Sequence, residues 1–314
     1  MMPHRFLIAL LALPLAAQVN IKQTPDRISV EINGKPFTEL WIGPEVRKPI
    51  LYPLYSATGK AVTRRWPMEQ TQGESKDHPH HRGLSFTHGD VNGMDFWSSD
   101  PLARQDARVK IALTKVHSAK GGKKDGKIEA SFDWLDKSGK PVLHEARTMK
   151  FYAEPDRRTL DLDIKLTAAT EVKFGDTKEG SLGIRLADAL AEQKGRGNGK
   201  MTNAEGAEGE KAVWGKPSPW VDYGGMLDGE QVGITIMDHP SNPRHPTHWH
   251  SRAYGLFAAN IFGMHDFYND KSKDGSLQLK NGETLRFRYR IVIHPGDAKA
   301  AAIADAYKKF SAIK

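Results

Sequence analysis

The sequence predicts an all-β protein, a sandwich or barrel of many short strands with one short helix at the C-terminal end. Three observations carry this prediction. Apolar and polar residues alternate in run after run beyond residue 20, turn residues separate the runs at short spacing, and a convincing helical pattern occurs once. In chain order, Ile28, Val30 and Ile32 alternate with Ser29 and Glu31, and Asn33-Gly34 then supplies a tight hairpin turn. Residues 109–116 and 127–135 alternate likewise, and Lys137-Ser138-Gly139-Lys140 turns the chain into a further strand over 141–149. Leu160, Leu162, Ile164 and Leu166 share one face of residues 159–166. The turn Lys280-Asn281-Gly282-Glu283 leads into the same pattern over 285–293, and the alanine-rich residues 297–310 read as the helix. The aperiodic stretches 119–127 and 193–211, dense in Gly and Lys, read as exposed loops. No composition break divides the chain, so residues 18–314 are expected to form a single β-sandwich domain.

Composition narrows the function classes. The 314 residues are 39% hydrophobic and 27% charged, which excludes wholesale disorder and collagen-like repeats. Forty-six Lys and Arg against 38 Asp and Glu leave a net charge of +8. That surplus is spread along the chain, with no basic helix or arginine cluster among aromatics, so nucleic acid is not an expected partner. The absence of cysteine removes disulfides, thiolate metal sites and cysteine nucleophiles. Residues 1–17 have the layout of a secretory signal peptide: a basic start, an apolar run over 6–13, and Pro14-Leu15-Ala16-Ala17 before Gln18. A secreted or periplasmic location is therefore expected. No later run reaches the roughly 20 apolar residues of a spanning helix, so no membrane association is expected once the signal is removed. The sequence leaves the oligomeric state open.

The histidines are clustered. Of 13, four fall in residues 78–88 and four in residues 239–250. The first segment reads Asp77-His78-Pro79-His80-His81-Arg82-Gly83, then His88, then Asp95-Phe96-Trp97; the second runs from Asp238-His239-Pro240 through Arg244-His245 to His248-Trp249-His250. Both are too rich in Pro and Gly to be central strands throughout and read as strand ends entering loops, where sites are usually built. Three readings stay open. The imidazoles are solvated loop residues, or they hold a divalent metal, since rings two apart on a strand reach one ion. In the third they perform metal-free acid/base work near their ordinary pKa, with Arg holding an anionic or hydroxylated group. No cofactor is implied beyond that possible divalent metal. On the acid/base reading, His80, His81, His88, His248 and His250 are the candidate catalytic groups, oriented by Asp95 or Asp238. Arg82, Trp97, Glu179, Arg185, His239 and Arg244 are the candidate substrate-binding groups. Trp97 and Trp249 lie in or beside the clusters, and an indole face suits the apolar side of a sugar ring, although Trp249 reads as core.

These residues also carry a resemblance. His78-Pro79-His80-His81-Arg82-Gly83-Leu84, His88-Gly89-Asp90, Asp238-His239-Pro240-Ser241-Asn242-Pro243-Arg244-His245-Pro246, Tyr254-Gly255-Leu256-Phe257-Ala258-Ala259-Asn260 and Asp176-Thr177-Lys178-Glu179-Gly180 resemble the secreted bacterial proteins labelled the methane oxygenase PmoA family, over residues 22–296. That label belongs to an integral membrane enzyme, which a chain lacking a spanning run is not, so the resemblance implies a family of unknown function and no catalytic residues. The ending Leu277-Gln278-Leu279-Lys280-Asn281-Gly282-Glu283-Thr284-Leu285 and the step His88-Gly89 are similar to galactose-mutarotase-like proteins. This second resemblance implies a β-supersandwich with its site on the concave sheet, where the two histidine segments would meet. A secreted carbohydrate-active enzyme (a hydrolase, lyase or epimerase) acting on a small or oligomeric sugar is then expected. A non-catalytic carbohydrate-binding protein and a His-ligated metal oxidoreductase are the alternatives.

Overall fold

In the computed structural model, which describes residues 18–102 and 109–314, the regular structure is mostly antiparallel strand. The segment read as a signal peptide lies outside the described residues. One eight-stranded sheet has the order Val19–Gln23, Arg27–Ile32, Lys35–Trp41, Ile50–Leu51, Leu84–His88, Gly180–Arg185, Leu256–Asn260, His248–Trp249. The other has the order Lys200–Asn203, Trp220–Leu227, Glu230–Asp238, Thr284–Pro295, Arg158–Ala168, Pro141–Tyr152, Asp125–Leu135, Lys110–Lys120. The two sheets bury their facing side chains against each other: Phe86 of the first meets Trp134 and Phe287 of the second, and Phe37 meets Phe151. This is the expected β-sandwich with a short C-terminal helix.

The alternation in the sequence corresponds to the second sheet. Ile128, Ala130, Phe132 and Trp134 are buried while their neighbours are half-buried or exposed, and Leu160, Leu162, Ile164 and Leu166 line the same core. The central strands of the first sheet differ. Leu84–His88, Gly180–Arg185 and Leu256–Asn260 are buried at every position, so both faces of that sheet are covered. Their outer faces carry small and polar residues rather than a solvated charge pattern, which is why no alternation marked them in the sequence.

Three local expectations are corrected. Strands Lys110–Lys120 and Asp125–Leu135 extend into the stretch read as a loop over 119–127, leaving a four-residue connection whose Gly121 lies against the Val19 carbonyl, too close for any Cβ. The stretch 193–211 holds the edge strand Lys200–Asn203 and the one-turn helix Glu210–Val213, because Met201 and Val213 find core contacts that composition does not reveal. The C-terminal helix is shorter than expected, Ile303–Ser311, with turns before it, and buries Ile303 and Phe310 against Trp220, Met237 and Val292 on the outside of the second sheet.

Candidate functional site

Register places a polar surface on the outer face of the first sheet. Residues paired across antiparallel strands point to the same side. Phe86, Leu182, Ala259 and Trp249 are paired in succession and face the core. The adjacent row, Ser85–Gly183–Ala258, continued by His250 through its amide bond to the Ala258 carbonyl, therefore faces outward. Arg185, Leu256 and Arg252 form the next outward row in the same manner. Small residues at the centre of this face leave a hollow. A Cβ on Gly183 would stand 2.8 Å from the Trp97 ring, so glycine is what lets the indole approach the sheet this closely.

The loop of residues 77–82 crosses this face, and a buried guanidinium shapes it. Arg64 donates through Nη1 to the Asp77 carbonyl (2.7 Å) and carboxylate (3.1 Å), and through Nη2 to the carbonyls of His78 (3.0 Å) and His81 (3.3 Å). Asp77 also accepts from Arg185 Nη2 at 2.8 and 3.1 Å and lies 2.6 Å from His78 Nδ1. The loop's rings pack on one another. His78 is parallel to His81 (4.8 Å between centroids) and to Tyr254 (5.0 Å), while His80 meets His81 edge-on at 4.4 Å. Arg185 covers Tyr254 at 4.7 Å, and His81 meets Trp97 edge-on at 5.3 Å.

Beneath these rings is a narrow cavity, with free room for about one water-sized group, whose polar lining includes Lys48, His80, His81, Arg82, Trp97 and Arg185. Several of its buried polar atoms have no protein partner: both ring nitrogens of His81, Trp97 Nε1, and Nε and Nη1 of Arg185. His250 Nδ1, on the same face of the sheet, is likewise unpartnered. Native structures rarely leave buried polar groups unmatched, and such clusters mark places where a ligand completes the set.

Burial and a positive field keep the imidazoles neutral. Burial, with Lys48, His78, Arg64 and Arg185 nearby, pushes His80 down to about 3. Burial beside His80, His78, Arg185 and Lys48 drives His81 well below its ordinary value. Burial and Arg252 lower His250 to about 3. Burial also lowers the Lys48 ammonium to about 8, against the opposing pull of Asp100 and Asp95. Asp77 behaves oppositely: burial disfavours its charge, but the His78 hydrogen bond and the guanidiniums of Arg185 and Arg64 prevail and hold it well below the carboxylate range.

These depressed imidazoles set a pH dependence of stability. Burial lowers His88 from 6.5 to about 4. In the unfolded chain it takes up a proton below about pH 6.5, whereas the native state does not until about pH 4, so native stability falls across that window on acidification. The loss from His88 alone is on the order of 3 kcal/mol. Urea titrations at several pH values should show the midpoint falling from neutral pH to about pH 4. His88→Gln, whose amide still reaches the Gly175 carbonyl, should flatten part of the slope, and an unchanged slope in that variant would contradict the assignment.

A family model described as "Family of unknown function (DUF6807)" matches residues 27–308. The chain belongs to that family. No curated protein matches the sequence. Similar solved structures include an alpha-galactosidase from Lactobacillus brevis, at 8% identity and a TM-score of 0.43, covering 89% of this chain and 39% of that one. A galactose mutarotase-like protein from Clostridium acetobutylicum matches at 11% identity and a TM-score of 0.42, covering 88% of this chain and 98% of that one. Heparan sulfate lyase HepC from Pedobacter heparinus matches at 9% identity and a TM-score of 0.38, covering 90% of this chain and 36% of that one. This DUF6807 chain thus spans about two fifths of the alpha-galactosidase and just over a third of the lyase. The methane-oxygenase resemblance finds no support in these matches, since the family that is shown carries no assigned function.

Within this DUF6807 member, the expected meeting of the two histidine segments is narrower than the sequence implied. His80, His81, Arg82, Trp97 and Arg185 line the cavity. From the second segment only His250, within electrostatic reach of His78, joins them, together with Tyr254 just beyond it. Glu179 sits near Tyr254, paired with Lys178 at 3.2 Å. The other candidates have structural partners. His88 lies on the core side, its Nε2 2.9 Å from the Gly175 carbonyl, between Phe174 and Phe262. His248 stacks on Phe267 and meets Tyr268 Oη at 3.1 Å. Asp95 accepts the Ser98 amide. Asp238 is fully buried, accepting from Asn242 and the Thr247 amide and pairing with His245 at 2.6 Å. His239 meets the Ile313 carbonyl and Phe310, and Arg244 donates to the carbonyls of Ile261, Gly275 and Ser276. These side chains tie loops and the C-terminal helix to the sheets.

The residues that sequence reasoning missed are Lys48, Arg64, Asp77 and Tyr254. Asp77 and Tyr254 stand inside the quoted motifs, whereas nothing local to Lys48 or Arg64 distinguishes them from surface cations. Among the described residues no group of three or more His, Asp or Glu side chains is placed to hold a metal ion.

Proposed function

We propose that this protein acts on carbohydrate in the hollow between the 77–82 loop and the outer face of the first sheet, by proton transfer through neutral imidazole. The observation that carries the reading is buried His81, both ring nitrogens without a protein partner, beside the equally unpartnered Trp97 Nε1 and Arg185. Donors and acceptors of both kinds face one cavity there, as ring hydroxyls require. An open groove containing Arg252 presents the half-buried indole of Trp214, a surface suited to a further sugar ring.

The charges favour a lyase or epimerase over a two-carboxylate hydrolase. Hydrolysis of that kind needs two carboxyl groups free to act as acid and base or nucleophile. Here Asp77 is committed to Arg64 and Arg185, Asp100 to Arg82, and Glu179 to Lys178. His81 is the base in this reading, its affinity for a proton raised once an anionic group of the substrate enters beside it. Tyr254, pushed up to about 12 by burial and Glu179, remains a proton donor, and Lys48 near 8 is a second. The basic-then-apolar residues 1–17 lead us to place this activity in the periplasm or outside the cell.

Turnover is the test. A panel of neutral and acidic mono- and oligosaccharides is incubated with the protein in D₂O and followed by NMR. Exchange of a ring C–H for deuterium, inversion at that carbon, or a new C=C bond is expected with at least one sugar. Ligand-induced thermal stabilisation without any such change would mean a binding protein and would overturn the enzyme reading.

A further inference from the structure

Buried cations outnumber buried carboxylates around the cavity. The side chains of Arg64 and Arg185 are both fully buried, and both contact the same carboxylate, Asp77, with Asp188 and Glu74 in electrostatic reach of Arg64. Arg82, also buried, pairs with Asp100, which together with Asp95 is in electrostatic reach of buried Lys48; Lys48 itself donates to the Trp97 carbonyl. Asp77 and Asp100 thus make the ion pairs of Arg64, Arg185 and Arg82. The side chains that bear most on His80 and His81 are the cations Lys48, Arg64 and Arg185 and the neighbouring imidazoles, which favour a positive potential inside the cavity. An uncompensated buried charge is costly unless something of opposite sign completes it. The free N–H groups of Arg185 and Trp97 line the cavity where that complement would sit.

We propose that the site takes a uronic acid unit by its carboxylate, which is seated on the free N–H groups of Arg185 beside Trp97 and His81 while the sugar ring stays at the mouth of the cavity. This deepens, and rests on, the reading of the hollow as a carbohydrate site. A guanidinium is suited to a carboxylate because its planar array of donors stays charged at any working pH. The aromatic and hydroxyl-binding groups around it select a sugar over a bare anion. Arg252, whose guanidinium lies about equally far from Tyr254 (6.0 Å) and Trp214 (5.9 Å), connects the cavity to the open groove, so the rest of a uronide chain has a path outward.

Calorimetric titration tests this with D-glucuronate, D-galacturonate and their short oligomers, against D-glucose, D-galactose and acetate. At least one uronide should bind about tenfold or more tightly than its neutral counterpart, with the advantage shrinking as salt is added. Arg185→Gln should abolish that preference. Trp97→Phe keeps a ring on Gly183 but deletes one donor, and should weaken uronide binding about fivefold without lowering the melting temperature, which serves if Arg185→Gln fails to fold. Equal affinity for a uronide and its neutral counterpart would overturn the carboxylate assignment and leave the carbohydrate reading standing. Binding of acetate as tight as any uronide, with no sugar bound, would overturn both, as would the absence of binding by every probe.

Discussion

Arg64→Ala should destabilise the fold by about 3–5 kcal/mol and remove ligand binding at the same time. The side chain is fully buried and reaches five carbonyls, of Trp66, Ser75, Asp77, His78 and His81, besides the Asp77 carboxylate. Its loss leaves those acceptors without their donor in a buried setting, and the loop that carries His80 and His81 loses the tie that holds it to the sheet. His78 sits at φ +45°, a left-handed conformation that a non-glycine residue adopts only when its surroundings enforce it. Arg64→Lys retains charge but not the planar fork, and should recover less than half of the lost stability. Urea unfolding of the three proteins measures this directly. A change below about 1 kcal/mol in Arg64→Ala would show that the loop is held by other contacts.

His81→Ala should lower turnover on any sugar substrate by about 10²–10⁴, with the melting temperature changed far less, since removing a positioned proton-transfer group costs that much in rate. His250→Ala, on the outer row beside Ala258, should give a smaller loss in the same direction. The control is His239→Ala. That ring meets Ser241 and the Ile313 carbonyl under the C-terminal helix, so its removal should cost about 1 kcal/mol of stability and leave turnover within about twofold of the parent. Full activity in both His81→Ala and His250→Ala would end the imidazole mechanism, whatever the sugar bound.

Legibility in the sequence followed exposure. Strands such as Asp125–Leu135 and Thr284–Pro295 bury one face, so their apolar period of two was visible and their register could be anticipated. Leu84–His88, Gly180–Arg185 and Leu256–Asn260, buried on both faces, gave no such period, yet they are the strands that carry the site. The first histidine segment was legible because His80, His81, Arg82 and Trp97 line one cavity from a single stretch of chain. In the second, Asp238, His239, Arg244, His248 and His250 look alike on paper, though of these only His250 comes within electrostatic reach of the first segment's rings.

Composition, alternation and turn residues alone determined an all-β chain, its principal strands and one terminal helix, because those signals depend only on near neighbours and on which faces meet water. Tertiary structure alone decided which imidazoles share a cavity, and that Lys48 and Arg64, indistinguishable in sequence from surface cations, are buried beside them. The reason is physical. A side chain's pKa, partners and accessibility are set by strands brought alongside from 100 or more positions away, as Arg185 and Asp77 are, and no local pattern encodes what will be packed against it.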